Sequence, residues 1–385
     1  MNWLETYFKG DRTIWLIVIL LSIVSILAVY SSTGTLAYKY QSGNTEYYLF
    51  KHGIIMILGF ALMYMGHFVK YTFYARIANL GIIIAIPLLL MTLLMGSNIN
   101  EASRWLTLPI IGLSFQTSDF AKVALILYVA RALSKRQDNI KDFKSAFVPI
   151  IVPVGLVCGL ILPANFSTSA VLFTTCVILM FIGRISVKYI ASMIGIAITA
   201  FALFLLISYA AGYDGRISTW KARIENFSSG DAEGNYQVEQ AKIAVATGGV
   251  LGKGPGNSSQ RNFLPHPYSD FIFAIIIEEY GLFGGTFVVF LYLLLFYRAL
   301  QIVKRTERAF AALITIGCAF SLVFQALINM AVAVNLFPVT GQPLPMLSMG
   351  GTSIWFTSAA IGIILSVSSE IDKSETVPTH ATAAA

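Results

Sequence analysis

Residues 264–279 read LPHPYSDFIFAIIIEE: a polar, proline-bearing loop turns at Asp270 into an apolar run that carries Glu278 and Glu279. Carboxylates are costly at membrane depth, so acids in such a run are functional candidates. The run also decides the fold class. A bilayer-crossing helix needs roughly 20 predominantly apolar residues. By that measure the chain is read as ten spans, at 14–31, 49–68, 75–96, 117–134, 146–163, 168–185, 187–211, 269–297, 309–334 and 345–368.

Composition agrees. The 385 residues are 57% hydrophobic and only 12% charged, with mean hydropathy +0.74. Soluble domains carry about 25% charged residues, so the expected class is an all-α, polytopic integral membrane protein. The pI near 9.2 does not point to nucleic acid, because the basic residues sit in short loops between spans. One set of loops and span ends holds sixteen of the 26 Lys and Arg, and the opposite short loops hold only Lys39, Lys51, Arg104 and Lys122. The other six lie in 212–268, which the positive-inside rule discounts as loop length grows. Both termini are therefore read as cytoplasmic, with 212–268 a long extracytoplasmic loop between spans seven and eight. The apolar stretch after MNWLETYFKGDR reads as a retained first span rather than a signal peptide. Cys158, Cys176 and Cys318 all fall in apolar stretches, which suggests neither a disulfide framework nor a zinc site. Residues 1–370 are expected to form one polytopic domain, with a re-entrant outer loop at 335–345 and a disordered cytoplasmic tail over 371–385.

In this topology Asp270 stands at the outer mouth of span eight, where no ATP is available. A single Asp at a helix entrance is more often an N-cap than a catalyst. Glu278 lies roughly 12 Å further along and about 80° round, while Glu279 faces the opposite way, so the three acids form no cluster. The glutamates are expected to hold the bundle together. Upstream, YQVEQAKIAVATGG reads as a surface or re-entrant helix. It runs into GGVLGKGPGNSSQ, whose glycines at 248, 249, 252, 254 and 256 suit a phosphate cradle but more often make a plain flexible turn. It is no Walker loop, since Gly254 follows Lys253.

Asp119 and Lys122, three apart in span four, share a face and can pair. Two readings stay open for them: a self-neutralising structural ion pair, or a polar wall of an outward cavity joined by Arg104. Finally, NLFPVTGQPLPMLSMGGTS (335–353) makes poor helix but a good rigid outer loop, tolerated at membrane depth where protein or a wet cavity surrounds it.

Four blocks together carry a resemblance: EASRWLTLPIIGLSFQTSDFAK, YQVEQAKIAVATGGVLGKGPGNSSQ, FLPHPYSDFIFAIIIEEYGLFGG and NLFPVTGQPLPMLSMGGTS. In this order on ten spans the chain resembles the SEDS proteins (shape, elongation, division and sporulation), closer to the divisional FtsW-like than to the elongation RodA-like members. The resemblance implies an inverting glycosyltransferase that polymerises lipid II at the outer face of the bacterial cytoplasmic membrane, at the division septum. Asp270 would be its general base. Arg104, Asp119, Lys122, Lys253, Gln260, Pro338, Thr340, Gly341, Ser348, Gly350 and Gly351 would contact substrate. A divalent cation, Mg or Mn, is implied; a nucleotide, haem or flavin is not. Implied partners are lipid II, a class B penicillin-binding protein and other division or elongation proteins, and no nucleic acid.

The chain departs from the family pattern at Asp119 and Thr117, where Glu and Pro are common, and at Asn165, where many members carry an acid. The rival readings are a lipid II flippase and a non-catalytic division scaffold. A flippase should carry polar residues on both sides of the midplane, whereas here they stop at Glu279.

Overall fold

The computed structural model describes residues 7–95, 97–99, 102–107, 114–210, 220–221, 223, 225–228 and 236–376. Its helices are α1 (Arg12–Ser32), the short α2 (Gly34–Tyr40), α3 (Thr45–Phe68), α4 (Tyr71–Met95), α5 (Thr117–Lys135), α6 (Val148–Ile161), α7 (Phe166–Ile182), α8 (Val187–Ala210), α9 (Tyr236–Gly248), α10 (Ile272–Lys304), α11 (Ala309–Ala333) and α12 (Thr352–Thr376). Each of the ten expected spans overlaps one of these helices. Among the described residues eight helices are long and apolar enough to cross a membrane, α6 with the π-helical turn Phe143–Phe147 that leads into it. Of the other two, α7 has 17 residues and α5 carries Asp119, Lys122, Arg131 and Lys135.

Side-chain caps set several helix starts. Asp11 accepts from the N–H groups of Thr13 (2.9 Å) and Ile14 (3.1 Å), Asn44 from Tyr47 (3.1 Å) and Asn165 from Thr168 (3.2 Å). Helix α11 is buried along most of its length, from Phe310 to Ala333, and forms the core against α10, α5, α7 and α12. Helix α8 instead exposes Ile196, Ile198, Leu206 and Ile207. Between α3 and α12 small residues bring the backbones together: a Cβ on Gly362 would lie 2.9 Å from the Met63 carbonyl, and one on Gly59 2.8 Å from the Ser358 hydroxyl.

The two ends of the bundle are distinct. At one end Arg298 donates to Asp11 (Nε, 2.8 Å), Arg305 pairs with Asp372 (3.1 Å), and Gly10 sits against Leu365 and Ser369. The start of α1 and the end of α12 therefore share a side. At the other end Ser31 meets Glu279, and the loop after α11 meets the turn before α10.

Four features differ from the sequence reading. Strands β1 (Ser97–Ile99), β2 (Ala102–Thr107) and β3 (Ser114–Gln116) form an antiparallel sheet in the connection between α4 and α5, satisfying backbone groups that an open loop would leave unpaired. Helix α12 begins at Thr352 rather than at 345, because Met346 (φ 63°) and Gly351 (φ 55°) lie in the left-handed region that a helix excludes. It then runs to Thr376, so 371–376, expected in the disordered tail, are helical; 377–385 lie outside the described residues. Helix α10 starts at Ile272, not 269, and is broken at Gly281 (φ 67°, ψ −167°).

Candidate active site

Asp270 does not cap α10. Phe271 holds the cap position and makes no side-chain cap bond, whereas Asp270 Oδ1 accepts from the Ser269 hydroxyl at 2.9 Å. The carboxylate is half-buried in the turn before the helix. What fixes it is its backbone. Asn329, buried on α11, donates from Nδ2 to the carbonyls of Asp270 (2.9 Å) and Gln342 (2.7 Å). Ser348 donates to the carbonyl of Ser269 (2.6 Å) and accepts from the Leu344 N–H (2.7 Å), while the Met349 N–H reaches the carbonyl of Tyr268 (2.9 Å). The 335–351 loop is thus laced to the Asp270 turn from both sides.

That loop is itself anchored in the bundle. Gln342 donates to Thr168 and, at 3.4 Å, to Asn165. Asn165, where many members of the family that the chain resembles carry an acid, caps α7 through the same amide oxygen. Tyr292 donates to the carbonyl of Pro345, and Ser25 joins the carbonyl of Leu347 (2.8 Å) to His52 (2.8 Å). Gln325 donates to the carbonyl of Pro343 (2.9 Å) and accepts from Lys122 (2.8 Å), whose ammonium also meets Asp119 at 3.4 Å. The Asp119–Lys122 pair therefore forms, and through Gln325 it braces the loop. Arg104 lies on β2, and its side chain is outside the described residues.

Lys253 and Gln260 belong to another construction. The buried Glu278 carboxylate receives the Lys253 ammonium (2.6 Å), the N–H groups of Ser259 and Gln260 (3.2 Å each) and the Ser258 hydroxyl. The N–H groups of Lys253 and Gly254 bond the carbonyls of Glu278 and Glu279, both at 2.9 Å. The glycine-rich segment turns these donors onto α10, and neither the flexible turn nor the phosphate cradle describes it. Close approach explains its glycines: a Cβ on Gly252 (φ 81°) would lie 2.2 Å from the Glu279 carbonyl. Glu279 reaches Ser31 and the Ser258 N–H, so the two glutamates tie the loop to α1 and α10, as expected of groups that hold the bundle.

Beside the Asp270 turn an apolar cavity of about 850 Å³ opens between α7, α10 and α11. Phe166, Phe273, Ile277 and Phe324 line it, and Pro338 and Thr340 form part of its wall. Gly341 (φ 63°) turns the chain from that wall back to Gln342. A second basic residue stands nearby. Arg223 donates from Nη1 to the carbonyl of Val339 (3.0 Å). Burial lowers its pKa, and the Asp270 carboxylate acts in the opposite sense. The sequence reading passed over Arg223 because it is one of six basic residues in the long outer segment, where charge carries no topological signal. Asn329, Gln325 and Gln342 were missed because neutral amides in apolar runs leave no mark on charge or hydropathy.

The family model of cell cycle proteins that comprises FtsW, RodA and SpoVE matches residues 11–373. A probable peptidoglycan glycosyltransferase FtsW from Geobacter sp. (strain M18) is 30% identical over 365 residues, covering 94% of this chain and 97% of that protein. Among solved structures, a chain of a peptidoglycan synthase complex that coordinates polymerization and crosslinking aligns over 94% of this chain and 98% of its own length, with TM-score 0.73 and 22% identity. The rod shape determining protein RodA of Thermus thermophilus aligns over 94% and 97%, with TM-score 0.68 and 22% identity. The match runs from the cap of α1 into the last turns of α12 and takes in each segment that holds Asp270 in place: the chain belongs to the FtsW, RodA and SpoVE family.

Proposed function

We propose that the protein is the peptidoglycan glycosyltransferase of septal wall synthesis, polymerising lipid II at the outer face of the cytoplasmic membrane. One observation carries this reading. A half-buried carboxylate, free of capping duty, is held by its backbone beside an apolar cavity of about 850 Å³, which has room for part of a polyprenyl chain. Asp270 takes the proton of the acceptor sugar's 4-hydroxyl as that oxygen attacks the donor anomeric carbon, and the bond from that carbon to the pyrophosphate oxygen breaks. A single displacement inverts the centre and needs no covalent enzyme intermediate. A general base must come within about 3 Å of the proton it removes, and the paired anchors on Ser269 and Asp270 favour such placement.

Among the described residues no three His, Cys, Asp or Glu side chains converge to hold a metal. Asp270 together with substrate phosphates still fits a divalent cation, because Mg²⁺-type ions are bound through one or two carboxylates plus phosphate oxygens. Mg²⁺ or Mn²⁺ held there would supply charge neutralisation. Arg104 is proposed as a contact of the pyrophosphate. Asp119 and Lys122 act through Gln325 on the loop, as do Ser348, Gly350 and Gly351 through its bends, while Lys253 and Gln260 hold the glycine-rich turn.

The topology proposed is ten crossings with the shared side of α1 and α12 in the cytoplasm. The solved relative in a peptidoglycan synthase complex supports a class B penicillin-binding protein as partner. The test is polymerisation of labelled lipid II by the purified protein and that partner, with moenomycin present to silence contaminating glycosyltransferases. Wild type should make polymer, and folded, partner-bound Asp270→Asn none. Equal polymer from both would remove Asp270 from the mechanism. No polymer from either, with lipid II crossing liposome membranes, would favour the flippase.

A further inference from the structure

A second cavity, polar and about 330 Å³ in volume, lies outside the apolar one. Arg223, Asn226 and Phe227 form one wall, Tyr236 and Gln237 at the start of α9 another, and Asn335, Pro338 and Val339 the floor. Pro338 lines both cavities, so the two meet across a single residue of the loop. Their linings differ in kind. The inner cavity is walled by Phe, Ile and Leu side chains; the outer one presents a guanidinium, three side-chain amides and two aromatic rings.

Arg223 is the informative group. A guanidinium carries five N–H donors in a rigid fork, and a half-buried one is costly unless they are used. Among the described residues it donates one hydrogen bond, to the carbonyl of Val339 at 3.0 Å, which fixes one edge of the fork. The other donors border a cavity with room for a ligand. Planar, bidentate donors suit phosphate and pyrophosphate oxygens. The aromatic rings of Phe227 and Tyr236, flanked by the amides of Gln237 and Asn335, present an apolar face with polar edges, as a sugar ring does. Tyr236 is 48% exposed, so its ring is open to a ligand.

We propose that this outer pocket is the head-group subsite for the lipid-linked donor: its polyprenyl chain lies in the apolar cavity, its pyrophosphate passes over Pro338 to Arg223, and its first sugar meets Tyr236. The inference rests on the lipid II polymerase reading and adds to it which wall of the site faces the leaving group. As the acceptor oxygen bonds to the anomeric carbon, the electron pair of the breaking bond goes to the pyrophosphate, whose added charge Arg223 offsets. The proton goes to Asp270, whose carboxylate is near enough to Arg223 to act on it.

Binding to the full chain in nanodiscs tests this without turnover. Undecaprenyl pyrophosphate, undecaprenyl monophosphate and lipid II would be titrated against wild type, Arg223→Gln, Arg223→Lys and Tyr236→Ala. Arg223→Gln should weaken undecaprenyl pyrophosphate and lipid II at least tenfold, and monophosphate less. Arg223→Lys should recover part of the loss. Tyr236→Ala should weaken lipid II but leave undecaprenyl pyrophosphate, which has no sugar, unchanged. Undecaprenyl pyrophosphate bound equally by wild type and Arg223→Gln overturns the proposal. Should Arg223→Gln not fold, equal binding of lipid II by Tyr236→Ala and wild type does the same. The polymerase reading is separable: an Asp270→Asn protein that still polymerises would sink that reading, whereas normal binding by Arg223→Gln beside an inactive Asp270→Asn would sink only the pocket.

Discussion

Asn329, on α11, uses both hydrogens of one amide group to join the carbonyl of Asp270 (2.9 Å) to that of Gln342 (2.7 Å). The catalytic candidate and the 335–351 loop are therefore set at a fixed spacing by a side chain that comes near the chemistry only through backbone. Replacing Asn329 by Asp turns a donor into an acceptor facing two carbonyls, and replacing it by Ala leaves both unpaired. A misplacement of about 1 Å at a reacting group costs on the order of 10²-fold in rate. The expected result for Asn329→Asp is a fall in kcat of about tenfold to a hundredfold. KM for lipid II should stay within about threefold, because the walls of both cavities are left in place. Steady-state polymerisation kinetics check this; a loss confined to KM would assign Asn329 to substrate contact.

Much of this was legible in sequence. The spans are, because twenty apolar residues in a row are a statement about composition and need no knowledge of partners. Asp270 stands out because an acid at the edge of an apolar run is rare. Its restraints do not stand out: Asn329 and Gln342 are 13 apart, and Ser348 and Ser269 are 79 apart, so only the folded chain brings them together. The glycine-rich turn was misjudged for the same reason. Its partner Glu278 lies 25 residues beyond Lys253, and the density of glycine that suggests looseness in a sequence is here the condition for backbone-to-backbone contact. The start of α12 was placed too early because hydropathy does not record the positive φ of Met346.

The Glu278–Lys253 pair offers a test of that turn. Glu278 is fully buried, and its carboxylate gathers donors from four residues, Lys253, Ser258, Ser259 and Gln260. Removing one partner of a buried pair typically costs about 3–5 kcal/mol, because the other charge is left uncompensated. Lys253 is partly solvated, so Lys253→Met should destabilise less than Glu278→Leu. Glu278→Leu should unfold at clearly lower temperature in detergent, and the double variant should be less unstable than the two single losses summed. A thermal-melt double-mutant cycle reads the coupling, and strict additivity would contradict the pair.

Topology can be checked with the protein's own chemistry. Cys158, Cys176 and Cys318 are buried and unpaired, so an impermeant maleimide should label the unaltered protein weakly. Lys39 sits on α2 at the Asp270 end, and Lys304 closes α10 at the end shared by α1 and the last turns of α12. With the Asp270 end outside, Lys39→Cys should label in spheroplasts and Lys304→Cys only after the membrane is permeabilised. The reverse pattern would invert the proposed orientation.

The break in α10 gives the sharpest structural prediction. Gly281 adopts φ 67°, and a Cβ there would lie 2.2 Å from the carbonyl oxygen of Val250, which is backbone and has nowhere to move. Gly249 also has positive φ (57°) but meets nothing within 4 Å. Alanine at Gly249 should therefore cost only the left-handed strain, about 1–2 kcal/mol. Alanine at Gly281 must in addition push the 248–254 turn off α10, breaking the bonds from Lys253 and Gly254 to Glu278 and Glu279. The expected outcome is a clear difference between two chemically identical changes: Gly249→Ala melts a few degrees below wild type and keeps its polymerase activity, whereas Gly281→Ala is poorly folded or loses protection of the turn to hydrogen exchange. Equal melting temperatures for the two variants would mean that the glycine-rich turn does not rest on the break in α10.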